Sequence, residues 1–122
     1  MKSIYLSTAF MLVLQTASYA QPIDSYTARL SSTDHFNSNG QRLDSAAAII
    51  RQDRANYYVY GERDSEDAGD SFFRSKENRA RLESMLNHGN FTQGTRRAII
   101  NGTPLIHVDI YEDYIEVAVE SD

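Results

Sequence analysis

Residues 105–119 read LIHVDIYEDYIEVAV, and this stretch decides the fold. Both halves are rich in β-branched and aromatic residues, and the polar pair Glu112-Asp113 separates them, which predicts two strands joined by a turn. Apolar side chains alternate along each strand, so the opposite face carries polar groups such as His107, Asp109 and Tyr111. The pattern predicts an antiparallel sheet that is covered on one face only.

Other segments supply the partners that this hairpin needs, because two strands alone are marginally stable. Residues 26–30 alternate in the same way and predict a third strand. Helices are predicted over 45–60, ended by Gly61, and over 75–87 and 93–100. We therefore expect an α+β fold: a three-stranded antiparallel sheet, made of the N-terminal strand and the C-terminal hairpin, with two to three helices on one face.

The first twenty residues have the pattern of a cleaved export signal. Lys2 gives the positive start, residues 4–14 form the apolar run, and residues 18–20 form a small-residue cleavage site. The run is much shorter than the roughly twenty residues of a permanent membrane helix. We expect cleavage after Ala20, a periplasmic or secreted product without a stable membrane anchor, and a single domain over 21–122.

Composition narrows the class of protein further. The net charge is −5 and there is no cysteine. An acidic chain is a poor general ligand for nucleic acid. Without disulfides, the stability of so small an exported domain must come from packing, which is more typical of the bacterial periplasm than of small secreted animal domains.

The charges are unevenly distributed along the chain. Six basic residues lie between 74 and 97, whereas residues 109–122 contain six acids and no base. The preferred interpretation is that the two regions are neighbours and pair across the surface. The alternative is a basic patch for a small anionic ligand, for which the planar guanidinium of arginine is suited.

The helix over 45–60 contains the first candidate site. Asp53 lies in the middle of the apolar stripe, so its carboxylate must find hydrogen-bond donors. One hypothesis pairs it with His35 of the preceding loop, beside Arg51 and Arg54, as an acid-base site. The preferred interpretation is structural: backbone amides of the loop over 31–40 hold Asp53.

The acidic loop over 62–70 and the outer face of the hairpin are further candidates. The loop has the glycine of a helix-loop-helix calcium site, but two ligand positions are occupied by Ala68 and Ser75, so a solvated loop is preferred and no cofactor is expected. On the hairpin, His107 and Tyr111 form a polar, aromatic surface suited to a partner.

Three tyrosines end the first helix. Tyr57 and Tyr60 fall with its apolar stripe, whereas Tyr58 is predicted to be exposed, and exposed aromatic side chains are frequent at binding surfaces.

A longer pattern gives a resemblance. Residues 45–58, SAAAIIRQDRANYY, continue through Gly61, Arg63-Asp64 and Glu66-Asp67 to Phe72-Phe73. Together they resemble a group of small exported proteins of Gram-negative bacteria that has no assigned activity. The resemblance implies an exported protein and assigns no site residues.

These observations lead to two functional hypotheses. The first is a non-enzymatic binding or interaction module, with His35, Asp53, Arg54, Tyr58, His107 and Tyr111 as candidate binding residues and another protein or a small anionic ligand as partner. The alternative is a small hydrolase or metal-dependent enzyme that uses His35 and Asp53, or the acidic loop.

Overall fold

The computed structural model describes residues 20–122, and the predicted export signal therefore lies outside the described residues except for Ala20. The strands are β1 (Asp24–Arg29), β2 (Leu105–Ile110) and β3 (Ile115–Ser121), and the helices are α1 (Ala46–Ala55), α2 (Lys76–Ala80), α3 (Leu82–His88) and α4 (Gln93–Asn101). A 3-10 turn, Ser32–His35, lies between β1 and α1. The predicted α+β class is confirmed.

The three strands form one antiparallel sheet in the order β1-β2-β3. Tyr26 lies opposite Val108, which in turn lies opposite Val117, so these side chains form one buried row across the sheet. The neighbouring row, which includes Thr27 and His107, faces away from the core. The sheet is therefore apolar on one face and polar on the other, as predicted.

Helices cover the apolar face because α1, α3 and α4 carry buried apolar side chains. Ile49 and Ile50 of α1, Leu82 and Leu86 of α3, and Ile99 of α4 are completely or almost completely buried. They form a single apolar core with the inner residues of the sheet. Serine or threonine side chains cap α1, α2 and α4, which satisfies free backbone amides at the helix starts.

The first helix changes its geometry before it ends. The α-helical hydrogen bonding stops at Ala55, and Asn56–Tyr60 form a wider π-helical turn that ends at Gly61, whose φ is +67°. A π-helical turn rotates the following side chains away from the α-helical stripe. Consequently the predicted burial of Tyr60 is wrong, since 57 % of it is exposed, and the predicted exposure of Tyr58 is also wrong, since it is half-buried.

The helix predicted over 75–87 consists of two pieces. Arg81 interrupts it, so α2 ends at Ala80 and α3 begins at Leu82. Within residues 20–122 none of the helices combines the length and the apolar character that crossing a membrane requires.

Candidate functional site

Arg54 lies at the centre of a buried polar cluster between α1 and the acidic loop. Its side chain has no solvent exposure, and its Nε donates to Oδ2 of Asp53 at 2.8 Å. Its Nη1 donates to the carbonyl of Ala68 at 2.9 Å and to Oδ1 of Asp70 at 3.1 Å. Three acceptors, one from the neighbouring residue and two from the acidic loop, thus meet at one guanidinium.

Asp53 is buried, as the helical pattern predicts, but the predicted donors are wrong. Its donor is Arg54, and no amide of the loop over 31–40 hydrogen-bonds to it. That loop is instead fastened to the helix by Asn56, whose Nδ2 donates to Oδ1 of Asp34 at 2.9 Å. Burial raises the pKa of Asp53 to about 8, against the opposing effect of the Arg54 charge.

Tyrosines surround the same guanidinium. The Arg54 carbon Cζ lies 3.8 Å from the ring centroid of Tyr26 and 4.8 Å from that of Tyr57, distances at which a cation is attracted to a ring face. The hydroxyl of Tyr58 donates to Oδ1 of Asp70 at 2.7 Å. Among residues 20–122, Nη2 of Arg54 and the hydroxyl of Tyr26 are buried without a hydrogen-bond partner.

His35 does not form the predicted pair with Asp53. Its Nδ1 lies 2.7 Å from the carbonyl oxygen of Ser31, and its Nε2 lies 2.8 Å from that of Ile99. A neutral imidazole donates to one of these carbonyls and an imidazolium donates to both. His35 therefore fastens the 3-10 turn to α4. Because His35 and Asp53 are not hydrogen-bonded to each other, the structure does not support the predicted acid-base pair.

The carboxylates of the acidic loop are used to attach the loop to β1. Asp67 accepts the amide hydrogen of Arg29 at 2.8 Å through Oδ1, and that of Asp64 at 2.8 Å through Oδ2. Glu66 forms an ion pair with the Arg29 side chain at 2.9 Å. In the part of the chain that the structure describes, no group of three or more histidine, cysteine or acidic residues is placed to hold a metal ion.

His107 and Tyr111 lie at the sheet, away from the Arg54 cluster. His107 Nε2 is 2.9 Å from Oδ1 of Asp109, and its Nδ1 is 3.2 Å from Oγ1 of Thr27. Tyr111 stacks on Tyr114, with ring centroids 4.4 Å apart and planes 9° from parallel. The outer face of the hairpin is thus polar and aromatic, as predicted.

A cleft of about 440 Å³ opens beside the π-helical turn and the end of the acidic loop. We call it the arginine cleft; it is lined by Tyr57, Tyr58, Val59, Arg63, Gly69 and Arg74. Arg63 is held in place there, because its Nε donates to the carbonyl of Tyr57 at 3.1 Å and its Cζ lies 4.0 Å from the centroid of the Tyr57 ring. Glycine at position 69 leaves room for the Tyr57 ring in the wall of the cleft, because a Cβ atom there would lie 3.1 Å from the Tyr57 hydroxyl.

The positive charges of the two arginines in this cleft are available to bind an anion. Among residues 20–122, neither Arg63 nor Arg74 forms an ion pair with a carboxylate. The predicted pairing of the basic stretch with the acidic C-terminus is limited in the same residues to Arg81 and Asp113, whose charged atoms are 4.0 Å apart. The alternative interpretation, a basic surface that accepts an anion, thereby gains weight.

The sequence pattern predicts only some of the residues of the Arg54 cluster and the arginine cleft. Arg54 and Tyr58 were candidates, and the structure places both within the Arg54 cluster. Arg63 was missed because acidic residues flank it in sequence, so the local charge balance conceals it. Arg74 belongs to the recognised basic stretch, but nothing in the sequence indicates that it lines a cleft together with the tyrosines of the π-helical turn.

Comparison with protein-family models, with curated proteins and with solved structures gives no match for this chain.

Proposed function

We propose that the chain is an exported, non-enzymatic binding domain that takes a small anionic ligand in the arginine cleft. The observation that carries the proposal is that Arg63 and Arg74, which form no ion pair within residues 20–122, line one concave site together with Tyr57. Ligand sites typically combine apolar or aromatic walls with a few charged groups that fix orientation.

The chemistry of the cleft favours a carboxylate or a phosphate attached to an apolar body. A guanidinium offers paired N–H donors that match two oxygens of such an anion, and these charged hydrogen bonds are stronger than neutral ones. Val59 is 58 % exposed and contributes an apolar surface beside them. The Tyr57 hydroxyl makes no hydrogen bond within residues 20–122 and is a further donor.

Export is supported by the sequence of residues 1–20 and by the resemblance to exported proteins of Gram-negative bacteria. Expression of the full chain in a Gram-negative host, followed by fractionation and intact-mass measurement, tests this part. We expect a periplasmic or secreted species whose first residue is Gln21. A cytosolic species that retains Met1 would contradict the proposed export.

Ligand binding is tested with phenyl phosphate, which has one dianionic group and one apolar ring. Titration of the purified protein, followed by calorimetry and by tyrosine fluorescence, should give saturable binding that weakens as salt increases. Arg63→Gln and Arg74→Gln should each weaken binding by about tenfold, corresponding to the loss of one charge-assisted hydrogen bond.

The matched control is Arg97→Gln, because Arg97 is exposed, lies in the same basic stretch and does not line the cleft. Its affinity for phenyl phosphate should equal that of the wild type. Equal losses in all three variants would indicate a general charge effect and contradict a site in the cleft. No saturable binding to phenyl phosphate, benzoate or inorganic phosphate would reject the proposed function.

A further inference from the structure

A second cleft, with a different chemistry, lies on the other side of the π-helical turn. It has a volume of about 390 Å³, within the range of small-molecule sites. Its walls come from the loop over 33–38, from α1 and from the start of the acidic loop. We call it the aromatic cleft, after Phe36 and Tyr60, which line it.

Phe36 and Tyr60 are unusually accessible for aromatic side chains. Phe36 is 42 % exposed and Tyr60 is 57 % exposed, and both line the aromatic cleft. The π-helical turn is what directs Tyr60 outward, since an α-helical continuation would place it on the buried stripe. Arg42 lies over the Phe36 ring at 5.8 Å, which helps to fix the orientation of that ring.

Polar groups with unused hydrogen-bonding capacity surround the two rings. Nε2 of Gln52 donates to Oδ1 of Asn56 at 2.8 Å, which orients the Gln52 amide and leaves its Oε1 without a partner among residues 20–122. The side chains of Ser38, Tyr60 and Glu62 also make no hydrogen bond within those residues. The cleft thus offers both donors and acceptors around an apolar platform.

The aromatic cleft differs from the arginine cleft in the charges of its lining residues. Among the lining residues in the described part of the chain, Glu62 is the one charged residue, and none is a cation. A small anion is therefore disfavoured, and a ligand with many hydroxyl groups and one apolar face is favoured. A pyranose ring has this character, because its C–H bonds pack against an aromatic face while its hydroxyls donate to carboxylates and amides.

We propose that the aromatic cleft binds a neutral pyranose ring of a saccharide, with Phe36 and Tyr60 as the stacking platform and Gln52 and Glu62 as hydrogen-bonding partners of its hydroxyls. This site is independent of the arginine cleft. The proposal for the aromatic cleft and the proposal for the arginine cleft can therefore be confirmed or rejected separately.

The test follows backbone amide NMR signals of the isotope-labelled protein during titration with four methyl glycosides: those of glucose, galactose, mannose and N-acetylglucosamine. We expect saturable shifts at residues of the cleft for at least one of them. Phe36→Ala and Tyr60→Ala should each weaken that binding by about tenfold or more, and Gln52→Leu by a smaller factor. All three positions are on the surface or half-buried, and melting curves verify that each variant is folded.

Ile23→Ala is the matched control, because Ile23 is 59 % exposed and does not line the cleft. Its affinity for the glycoside should be unchanged. The proposal is overturned if none of the four glycosides gives saturable shifts at tens of millimolar. It is also overturned if the shifts lie elsewhere, or if the folded Phe36→Ala and Tyr60→Ala proteins bind as the wild type does.

Discussion

Arg54 and Asp53 are neighbours in sequence and form a buried ion pair within one helix, with Nε and Oδ2 2.8 Å apart and side-chain exposures of 0 % and 2 %. Adjacent helical residues normally diverge by about 100° and do not face each other. Here the guanidinium folds back over its own helix because Tyr26, Ala68 and Asp70 enclose it from the other side.

Replacement of Arg54 by alanine should strongly destabilise the protein. The substitution leaves the carboxyl group of Asp53 and the carbonyl of Ala68 without their donor, and it removes the cation beside the buried carboxylate of Asp70. Loss of one partner from a buried ion pair typically costs about 3–5 kcal/mol. Urea unfolding measures the free energy directly. The control is Arg51→Ala, an exposed position on the same helix, which should change it by less than about 0.5 kcal/mol. Equal stabilities of the two variants would contradict the central role of Arg54.

The free energy of unfolding should fall as pH rises between about 5 and 8. Burial raises the pKa of Asp53 from 3.8 to about 8, so the folded state binds its proton more tightly than the unfolded state. This stabilisation is complete below the unfolded pKa and is lost as pH rises through the folded pKa, by up to about 1.4 kcal/mol per pH unit. Burial also raises the pKa values of Asp34 and Asp67, which act with the same sign.

Asp53→Asn isolates the contribution of this residue to the pH dependence. Asparagine has a similar shape and does not titrate, so the slope of stability against pH should become smaller over the same interval. Urea unfolding at several pH values measures it. A variant with the slope of the wild type would show that other groups cause the dependence.

Gly89→Ala and Gly94→Ala should have opposite effects on stability. A Cβ on Gly89 would lie 1.8 Å from the backbone oxygen of Ile115, so the end of α3 would have to move away from β3, at a cost of about 1–3 kcal/mol. Gly94 lies in the first turn of α4 with room for a methyl group, and alanine there should stabilise the helix by up to about 1 kcal/mol. Thermal melting distinguishes the two, and an unchanged melting temperature for Gly89→Ala would refute the close approach.

Tyr58→Phe and Tyr57→Phe form a matched pair that tests the link between the π-helical turn and the acidic loop. The Tyr58 hydroxyl hydrogen-bonds to Asp70, so its removal should lower the free energy of unfolding by about 1 kcal/mol. The Tyr57 hydroxyl has no such partner among residues 20–122, so its removal should have little effect. Denaturant unfolding of both variants is the measurement, and equal losses would be inconsistent with a specific bond to Asp70.

Much of the fold follows from local patterns in the sequence. Alternation over residues 105–119 correctly gives the hairpin and its buried face, because a half-buried strand repeats every second residue. Gly61 correctly marks the end of the first helix, where the backbone requires a positive φ. These features depend on nearest neighbours along the chain, and a single sequence contains that information.

The candidate site could be predicted only in part, for a physical reason. The burial of Asp53 follows from the helical stripe, but its partner does not, because the position of Arg54 depends on contacts with β1 and with the loop near Asp70. Tyr58 and Tyr60 were assigned to the wrong environments because the prediction continued α-helical geometry through residues 56–60, which form a π-helical turn. No local propensity in residues 56–60 marks it.

The attachment of the acidic loop to β1 has a consequence for solubility. The outer edge of a terminal strand carries free amides and carbonyls on which a foreign chain can assemble into fibrillar aggregates. Here Ala68 donates to the carbonyl of Thr27 at 2.8 Å, and Asp67 takes the amide of Arg29. The loop thus covers that edge with its own backbone and a negative charge, which disfavours the addition of a foreign strand to β1 and templated misassembly of this protein.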